Sequence, residues 1–158
     1  MAGQALTLDD LDATKACAQA FEFEYINEQG NPSGIWFSVY GGESEIVQQA
    51  SAKLQNERRR RQAQREIQQR IGTAGQKKVE FDLFEEDIEQ GKRIAAARLA
   101  GWRGAGEVDG LTDEEKARFC GIAAPFNAEN ALRLCRSNVH IAAQITQQSE
   151  ESANFIKL

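Results

Sequence analysis

FEFEYINEQGNPSGIWFSVY, residues 21–40, is the part of the sequence from which the fold can be predicted most directly. In residues 21–26 aromatic side chains alternate with glutamates, so one face is aromatic and the other mostly acidic, as is typical of a half-buried β-strand. Residues 29–34 are dense in turn formers, and residues 35–40 are apolar and aromatic, like a second strand. We therefore predict a β-hairpin with a loop of about six residues.

This hairpin needs support from elsewhere, because two strands alone are marginally stable in water. Its aromatic face is expected to pack on a helix of the same chain or on a strand of another chain. The open strand edges could also accept a strand from a partner, although coverage by the chain's own helices explains the same pattern.

Most of the remaining sequence has helical patterns. Residues 6–20 predict a short amphipathic helix, with Leu8 and Leu11 on one side. Residues 43–71 contain no proline and no glycine, but their apolar stripe stops at Leu54, so the second half is expected to project from the core or to rest on a partner. A stronger amphipathic pattern follows and predicts a helix of roughly six turns. Its apolar positions are Phe81, Phe84, Ile88, Ala95, Leu99 and Trp102.

The C-terminal part contains recognisable helix starts. Thr112, with Glu115 three residues later, predicts a capping box. Asn127 or Ala128 is expected to begin the next helix, and Asn138 is expected to cap the last one, whose inner side should face the core. That inner side is expected to carry Ile141, Ala142, Ile145 and Ser149. Four glycines at 101, 104, 106 and 110 predict a loop before these helices.

Together these patterns predict an α+β, predominantly helical fold, in which an N-terminal antiparallel β-hairpin packs on a bundle of helices. The length of 158 residues suits a single domain covering residues 1–158. Within it, residues 1–42 are expected to form the short helix and the hairpin, and residues 43–78 a long arginine-rich helix or arm. Residues 79–158 are expected to form the helical part.

Composition excludes several classes of protein. No apolar run approaches the roughly 20 residues that cross a bilayer, and the acidic N-terminus lacks the pattern of a signal peptide. Three widely spaced cysteines are typical of free thiols in a reducing cytosol. A net charge of −5 argues against nucleic acid as a partner unless a local basic patch exists.

One such patch is present. Residues 58–70 contain six arginines and one glutamate, and an acidic cluster follows in residues 80–89. If the two helices fold back on each other, the arginines pair with these acids within the chain. If they do not, the arginines could bind an acidic protein surface or phosphates, and a nucleic-acid-binding regulator remains an alternative function.

Candidate catalytic groups are scarce, so we do not expect an enzyme, a cofactor or a metal site. The sequence has one histidine, His140, and a Cys135–His140 nucleophile pair would lack both a shared helix face and a third group to orient it. A zinc site formed by Cys17, Cys120, Cys135 and His140 would have suitable ligand types but no closely spaced cysteine pair.

The order of segments carries a resemblance to a known family. GIWFSVYG at residues 34–41 precedes the arginine-rich helix, and an alanine-rich helix then ends in Gly101-Trp102. PFNAENAL at residues 125–132 and a tail with IAAQI at residues 141–145 complete the series. Over roughly residues 8–158, the sequence resembles the tail assembly chaperones of long-tailed bacteriophages.

The resemblance implies a non-enzymatic role in virion assembly in the host cytoplasm. Such proteins bind the tape measure protein, keep it soluble and help to recruit the tail tube protein, and they are generally absent from the mature virion. Many are also made as a longer product by ribosomal frameshifting. A virion structural protein, such as a tail or head-completion subunit, is a further alternative, and exposed strand edges and an arm would also permit a homo-oligomer.

On this interpretation the candidate partner-binding residues are apolar side chains that cover a helix of the tape measure protein and basic side chains that steer it. The apolar candidates are Phe81, Phe84 and Ile88, or Trp36 and Tyr40 in the hairpin. The basic candidates are Arg58, Arg59, Arg60 and Arg61.

Overall fold

A computed structural model describes residues 3–69, 76–103, 109–118 and 121–156, and for residues 69 and 76–83 it describes the backbone alone. The fold is α+β and predominantly helical, as predicted. In chain order the elements are α1 (Ala13–Cys17), β1 (Phe21–Ile26), β2 (Pro32–Val39), α2 (Glu45–Gln69), α3 (Gln76–Arg98), β3 (Leu99–Trp102), α4 (Asp113–Arg118), α5 (Ala128–Ser137), α6 (Val139–Glu150) and a 3₁₀ turn (Ser152–Asn154). Residues 72–75, whose two glycines predict a turn between the two long helices, lie outside the described residues.

The hairpin of β1 and β2 is confirmed, with a slightly shorter loop than predicted. Antiparallel pairing places Phe23 opposite Phe37. The amide of Asn27 donates to the carbonyl of Asn31 at 2.8 Å, so β2 already begins at Pro32. Gly30 has φ +82°, a conformation in which a Cβ would be strained.

A third strand, β3, corrects the prediction for residues 99–102. These residues were expected to end the long helix or to form a loop, but they pair antiparallel with β2, and Trp102 lies opposite Phe37. The sheet order is β1-β2-β3. Glycine at position 101 is a poor helix former, and the unpaired edge of β2 offers this segment backbone hydrogen bonds, so α3 ends at Arg98.

The core lies between the inner face of the sheet and the C-terminal helices. Phe37 and Val39 from β2 are fully buried, as is Ile145 from α6. The four positions predicted for the inner side of α6 are all buried, which confirms that prediction. The aromatic face of the hairpin therefore packs on helices of its own chain.

The predicted helix starts are confirmed by their hydrogen bonds. The Asn127 side chain accepts from the amide of Asn130 at 2.7 Å, and the Asn138 side chain accepts from the amide of Ile141 at 3.1 Å. Thr112 and Glu115 form a reciprocal capping box with distances of 2.8 and 3.2 Å. Each of these caps satisfies an amide that has no partner within its helix.

The N-terminal segment differs from its prediction. Helix α1 begins only at Ala13, because the Asp12 side chain caps it by accepting from the amides of Thr14 and Lys15. The expected apolar side of a longer helix is therefore absent, and Leu8 and Leu11 are 89% and 52% exposed.

The edge of β1 is partly closed by a side chain of α6. The Gln144 amide group accepts a hydrogen bond from the Ile26 amide at 3.1 Å and donates one to the Ile26 carbonyl at 2.5 Å. A side chain thus takes the place that an added strand would occupy at this residue.

A buried polar cluster joins the end of the sheet to α3 and α6. The Arg98 guanidinium donates to the Ser149 hydroxyl at 2.9 Å, and that hydroxyl donates to the Tyr40 carbonyl at 2.7 Å. Next to it, the Gly41 amide donates to the Cys17 carbonyl at 2.9 Å, which fixes α1 against the end of β2. Within the described ranges, no helix combines the length and the apolar character needed to cross a membrane.

Candidate partner-binding surface

Helix α3 carries two opposite faces with different chemistry. One face packs against α2 and carries Glu86 and Glu89, whereas the other borders α6 and is mostly apolar or small. The predicted acidic cluster and the predicted apolar stripe therefore lie on the same helix, separated by about half a turn. Helix α3 therefore contacts α2 with one face and α6 with the other.

The acidic face holds part of the arginine run within the chain. Arg58 pairs with Asp87 at 2.8 Å, Arg61 lies 3.9 Å from Glu86, and Arg65 also pairs with Glu86. Of the two alternatives that the sequence left open, pairing of the arginines with acids of the same chain is the one observed for these three arginines. The other two candidates, Arg59 and Arg60, are exposed and make no ion pair among the described residues.

Glu89 extends the ionic contacts from α3 to α5. Its carboxylate accepts from Nε of Arg136 at 2.7 Å and lies 3.4 Å from Nε of Arg93. The hydrogen bond from Arg136, with a smaller contribution from Arg93, lowers the pKa of Glu89 below its ordinary value, although burial acts in the opposite direction. This carboxylate therefore anchors α5 to α3.

The opposite face of α3 forms an open groove with α6, named here the α3–α6 groove. Its volume is about 580 Å³. Residues of both helices line it: Ile88, Gly91, Lys92 and Ala95 from α3, and Val139, Ala142, Ala143, Thr146, Gln147 and Glu150 from α6. Most of these side chains are apolar or small, so the groove suits an apolar partner surface.

Large apolar side chains stand exposed at one end of the α3–α6 groove. Val139 is 67% exposed and Ile88 is 46% exposed. One turn before Ile88 on the same side of α3, Phe84 is 64% exposed. Three exposed apolar side chains on adjacent helix surfaces are typical of a protein interaction site.

The floor of the groove is built from small residues. Gly91 is exposed, and a Cβ placed on it would meet no atom within 4 Å. Ala95 and Ala142 are buried beside it, and Ala143 is exposed. The backbones of α3 and α6 are therefore accessible to a partner at this level.

Two charged residues lie on the groove side of α3. Lys92 lines the groove and is half-buried, and Glu85, two turns earlier on the same side of the helix, is exposed. Neither forms an ion pair with another part of the chain that the structure describes. Glu150, 61% exposed, pairs with the buried Arg98 at 3.1 Å. A partner could therefore satisfy one acid and one base on the same side of α3.

The predicted partner-binding residues fall into separate regions. Ile88 lines the α3–α6 groove and Phe84 lies one turn before it on α3, whereas the side chain of Phe81 lies outside the described residues. Trp36, on the other face of the sheet, and Tyr40, directly after β2, are half-buried, and neither lines the groove. Their role in binding stays a prediction.

The cysteine and histidine side chains that were considered as catalytic or metal-binding candidates pack against other side chains where the structure describes them. Cys17 and Cys135 are buried free thiols, and burial raises the pKa of Cys135 to about 11. The His140 ring packs edge-on against Tyr25, with 5.7 Å between ring centroids. In the described ranges no cluster of three or more His, Cys, Asp or Glu side chains could hold a metal ion, and Cys120 lies outside those ranges.

Sequence reasoning missed the α6 side of the groove. The inner stripe of α6 was recognised from the sequence. Val139 precedes that stripe and Ala143 lies outside it, so only the position of α3 shows that they belong to a surface. The single available signal was an apolar residue, Val139, placed outside the buried periodicity.

Comparison with known proteins identifies a phage-related protein. Residues 43–157 match the model of the family described as YdaY prophage protein. Since the match spans more than half of the chain, the protein belongs to the YdaY prophage protein family. No curated protein and no solved structure matches it. The predicted resemblance is thus supported at the level of a phage-related protein.

Proposed function

We propose that the protein is a phage tail assembly chaperone. It binds the tape measure protein in the host cytoplasm, keeps it soluble and helps to recruit the tail tube protein, and it catalyses no reaction. The observation that carries this proposal is the open apolar α3–α6 groove, in a protein that belongs to a prophage family.

The groove supports binding by an amphipathic helix. A tape measure protein exposes long apolar helical stripes, which aggregate unless another surface covers them. Phe84, Ile88 and Val139 would lose most of their exposed surface under such a helix, and each would contribute about 1–2 kcal/mol. Helix-in-groove packing therefore provides the contact that keeps the stripe soluble.

The charges on the groove side of α3 restrict which helix can bind there. Glu85 and Lys92 lack partners among the described residues, so the bound helix would supply one base and one acid on the same side. Exposed Arg59 and Arg60 would act at a distance, steering acidic parts of the same partner, because Arg58 and Arg61 already pair with α3.

The proposal is tested by co-expressing the protein with the tape measure protein of the same prophage and measuring how much tape measure protein stays soluble and co-purifies. Ile88→Asp should abolish co-purification, because it places a charge in the apolar end of the groove. Ile46→Asp is the matched control, since Ile46 is 50% exposed on α2, away from the groove.

Two outcomes would overturn this proposal. Equal recovery of tape measure protein with the wild-type protein and with Ile88→Asp would show that the groove is not part of the binding surface. Detection of the protein in purified virions, in fixed proportion to tail subunits, would instead support a virion structural protein.

A further inference from the structure

We infer that the occupant of the α3–α6 groove is an α-helix that crosses α3 at Gly91 in close backbone contact, with a small residue of its own at the crossing. This inference rests on the proposed function. It adds where the bound helix crosses α3, how closely the two helices approach, and which kind of residue the bound helix needs at the crossing.

Gly91 is the observation that points outside the chain. Glycine is among the weakest helix formers, yet it lies inside the 23-residue helix α3. Its φ is not positive, so the backbone does not require glycine. A Cβ there would meet nothing within 4 Å, so packing within the described part of the chain does not require it either.

A partner helix at this level accounts for both facts. Without a side chain at position 91, a second helix can approach the backbone of α3 as closely as its own side chains allow. Ala143, across the groove, keeps the facing wall equally low. Ile88 and Val139, at one end of the groove, then contact apolar side chains of the bound helix on one side of the crossing.

Charge sets the orientation of the bound helix. Glu85 and Lys92 are seven residues apart on α3, about 10 Å along the helix axis. A bound helix with a basic and an acidic residue about two turns apart would pair with both in one orientation and place like charges together in the other. The occupant is therefore an amphipathic helix with a small residue between two oppositely charged ones.

The test uses Gly91→Leu in the full chain, with the dissociation constant measured for the purified tape measure segment that co-purifies with the wild-type protein. Leucine fills the groove at the crossing, so we expect affinity to fall at least about tenfold. The melting temperature should equal or exceed that of the wild type, because leucine is a better helix former and points into open space. Ala52→Leu adds the same side chain to an exposed position of α2 and should leave affinity unchanged.

The outcomes separate this inference from the proposed function. If Ile88→Asp abolishes binding but Gly91→Leu binds like the wild type, the groove is used without close contact at Gly91, and the inference is wrong. If neither variant weakens binding, the proposed function of the groove also fails. A lower melting temperature for Gly91→Leu would show that Gly91 serves the fold and would likewise overturn the inference.

Discussion

Gly41 lies where the chain leaves β2 and passes against α1. A Cβ at this position would overlap the side chain of Cys17 and stand 2.9 Å from its Cα atom. Because a backbone atom is involved, a change of rotamer cannot relieve the overlap. Glycine is therefore required here by the close approach of two chain segments.

We expect Gly41→Ala to lower the free energy of unfolding by about 1–3 kcal/mol, because α1 must move away from the sheet end and its hydrogen bond to Gly41 is strained. Denaturant unfolding followed by circular dichroism measures this change. Gly3→Ala is the control, since a Cβ at Gly3 meets nothing within 4 Å. Equal stability of both variants would show that the contact at Gly41 relaxes without cost.

Single residues were predictable from sequence where their role is local. Asn138 and the Thr112–Glu115 pair act on amides within a few residues, so the local sequence identified them as caps. Asn127 was recognised as one of two possible helix starts, and its capping hydrogen bond was not predicted. Arg98 was not recognised, because its partner Ser149 is 51 residues away and no local pattern joins them. A base inside the alanine-rich sequence IAAARLA was the one available sign.

At the scale of elements, Glu89 links α3 to α5 through Arg136. Its lowered pKa means that the folded state favours the ionised carboxylate. The resulting stabilisation is fully present above the ordinary value of about 4.5 and is lost as the pH falls through the lower folded-state pKa.

We expect Glu89→Gln to lower the free energy of unfolding by about 0.5–1 kcal/mol at pH 7, since the pair is partly exposed and screened by solvent. The difference from the wild type should persist to pH 5 and shrink below pH ~4.5. Urea unfolding at pH 7, 5 and 3 measures it. Glu85→Gln, on the same helix but without an ion pair among the described residues, should show a smaller difference at pH 7.

Elements with a clear period were predicted well, and the boundary between α3 and β3 was not. Leu99 and Trp102 fit the helical spacing of α3, so periodicity extended the helix through them. Pairing with β2, which depends on a strand about 60 residues earlier, decides their conformation. The same limitation hid the groove, because α3 and α6 are joined by tertiary packing only.

At the scale of the whole molecule, one core connects the sheet to the C-terminal helices. Ile145 is fully buried within it, next to side chains from β1 and β2. We expect Ile145→Ala to lower the free energy of unfolding by about 2–5 kcal/mol, because it leaves a cavity. Ile46→Ala, at a half-exposed site on α2, should cost about 0.5 kcal/mol or less. Chemical denaturation of both variants measures the contrast, and equal losses would place Ile46 in the core.

The fold class could be predicted from alternation, turn residues and caps, because these signals are local and agree with one another. The candidate surface could be predicted only in part. Phe84 and Ile88 belonged to a visible stripe, but which part of that stripe stays uncovered depends on where α6 begins. Trp36, by contrast, is half-buried and lies opposite Glu24. The alternating strand pattern alone could not show whether this side chain would be half-buried or exposed.

The bond pair between Gln144 and Ile26 also bears on how the molecule behaves when it is abundant. Sheet edges with unsatisfied backbone groups can pair with one another and seed fibrils, and this hazard grows with the concentration of the protein. Here the side-chain amide of Gln144, on α6, already satisfies the backbone amide and carbonyl of Ile26, the last residue of β1. At Ile26, therefore, a second copy of the chain would find no free backbone group to pair with.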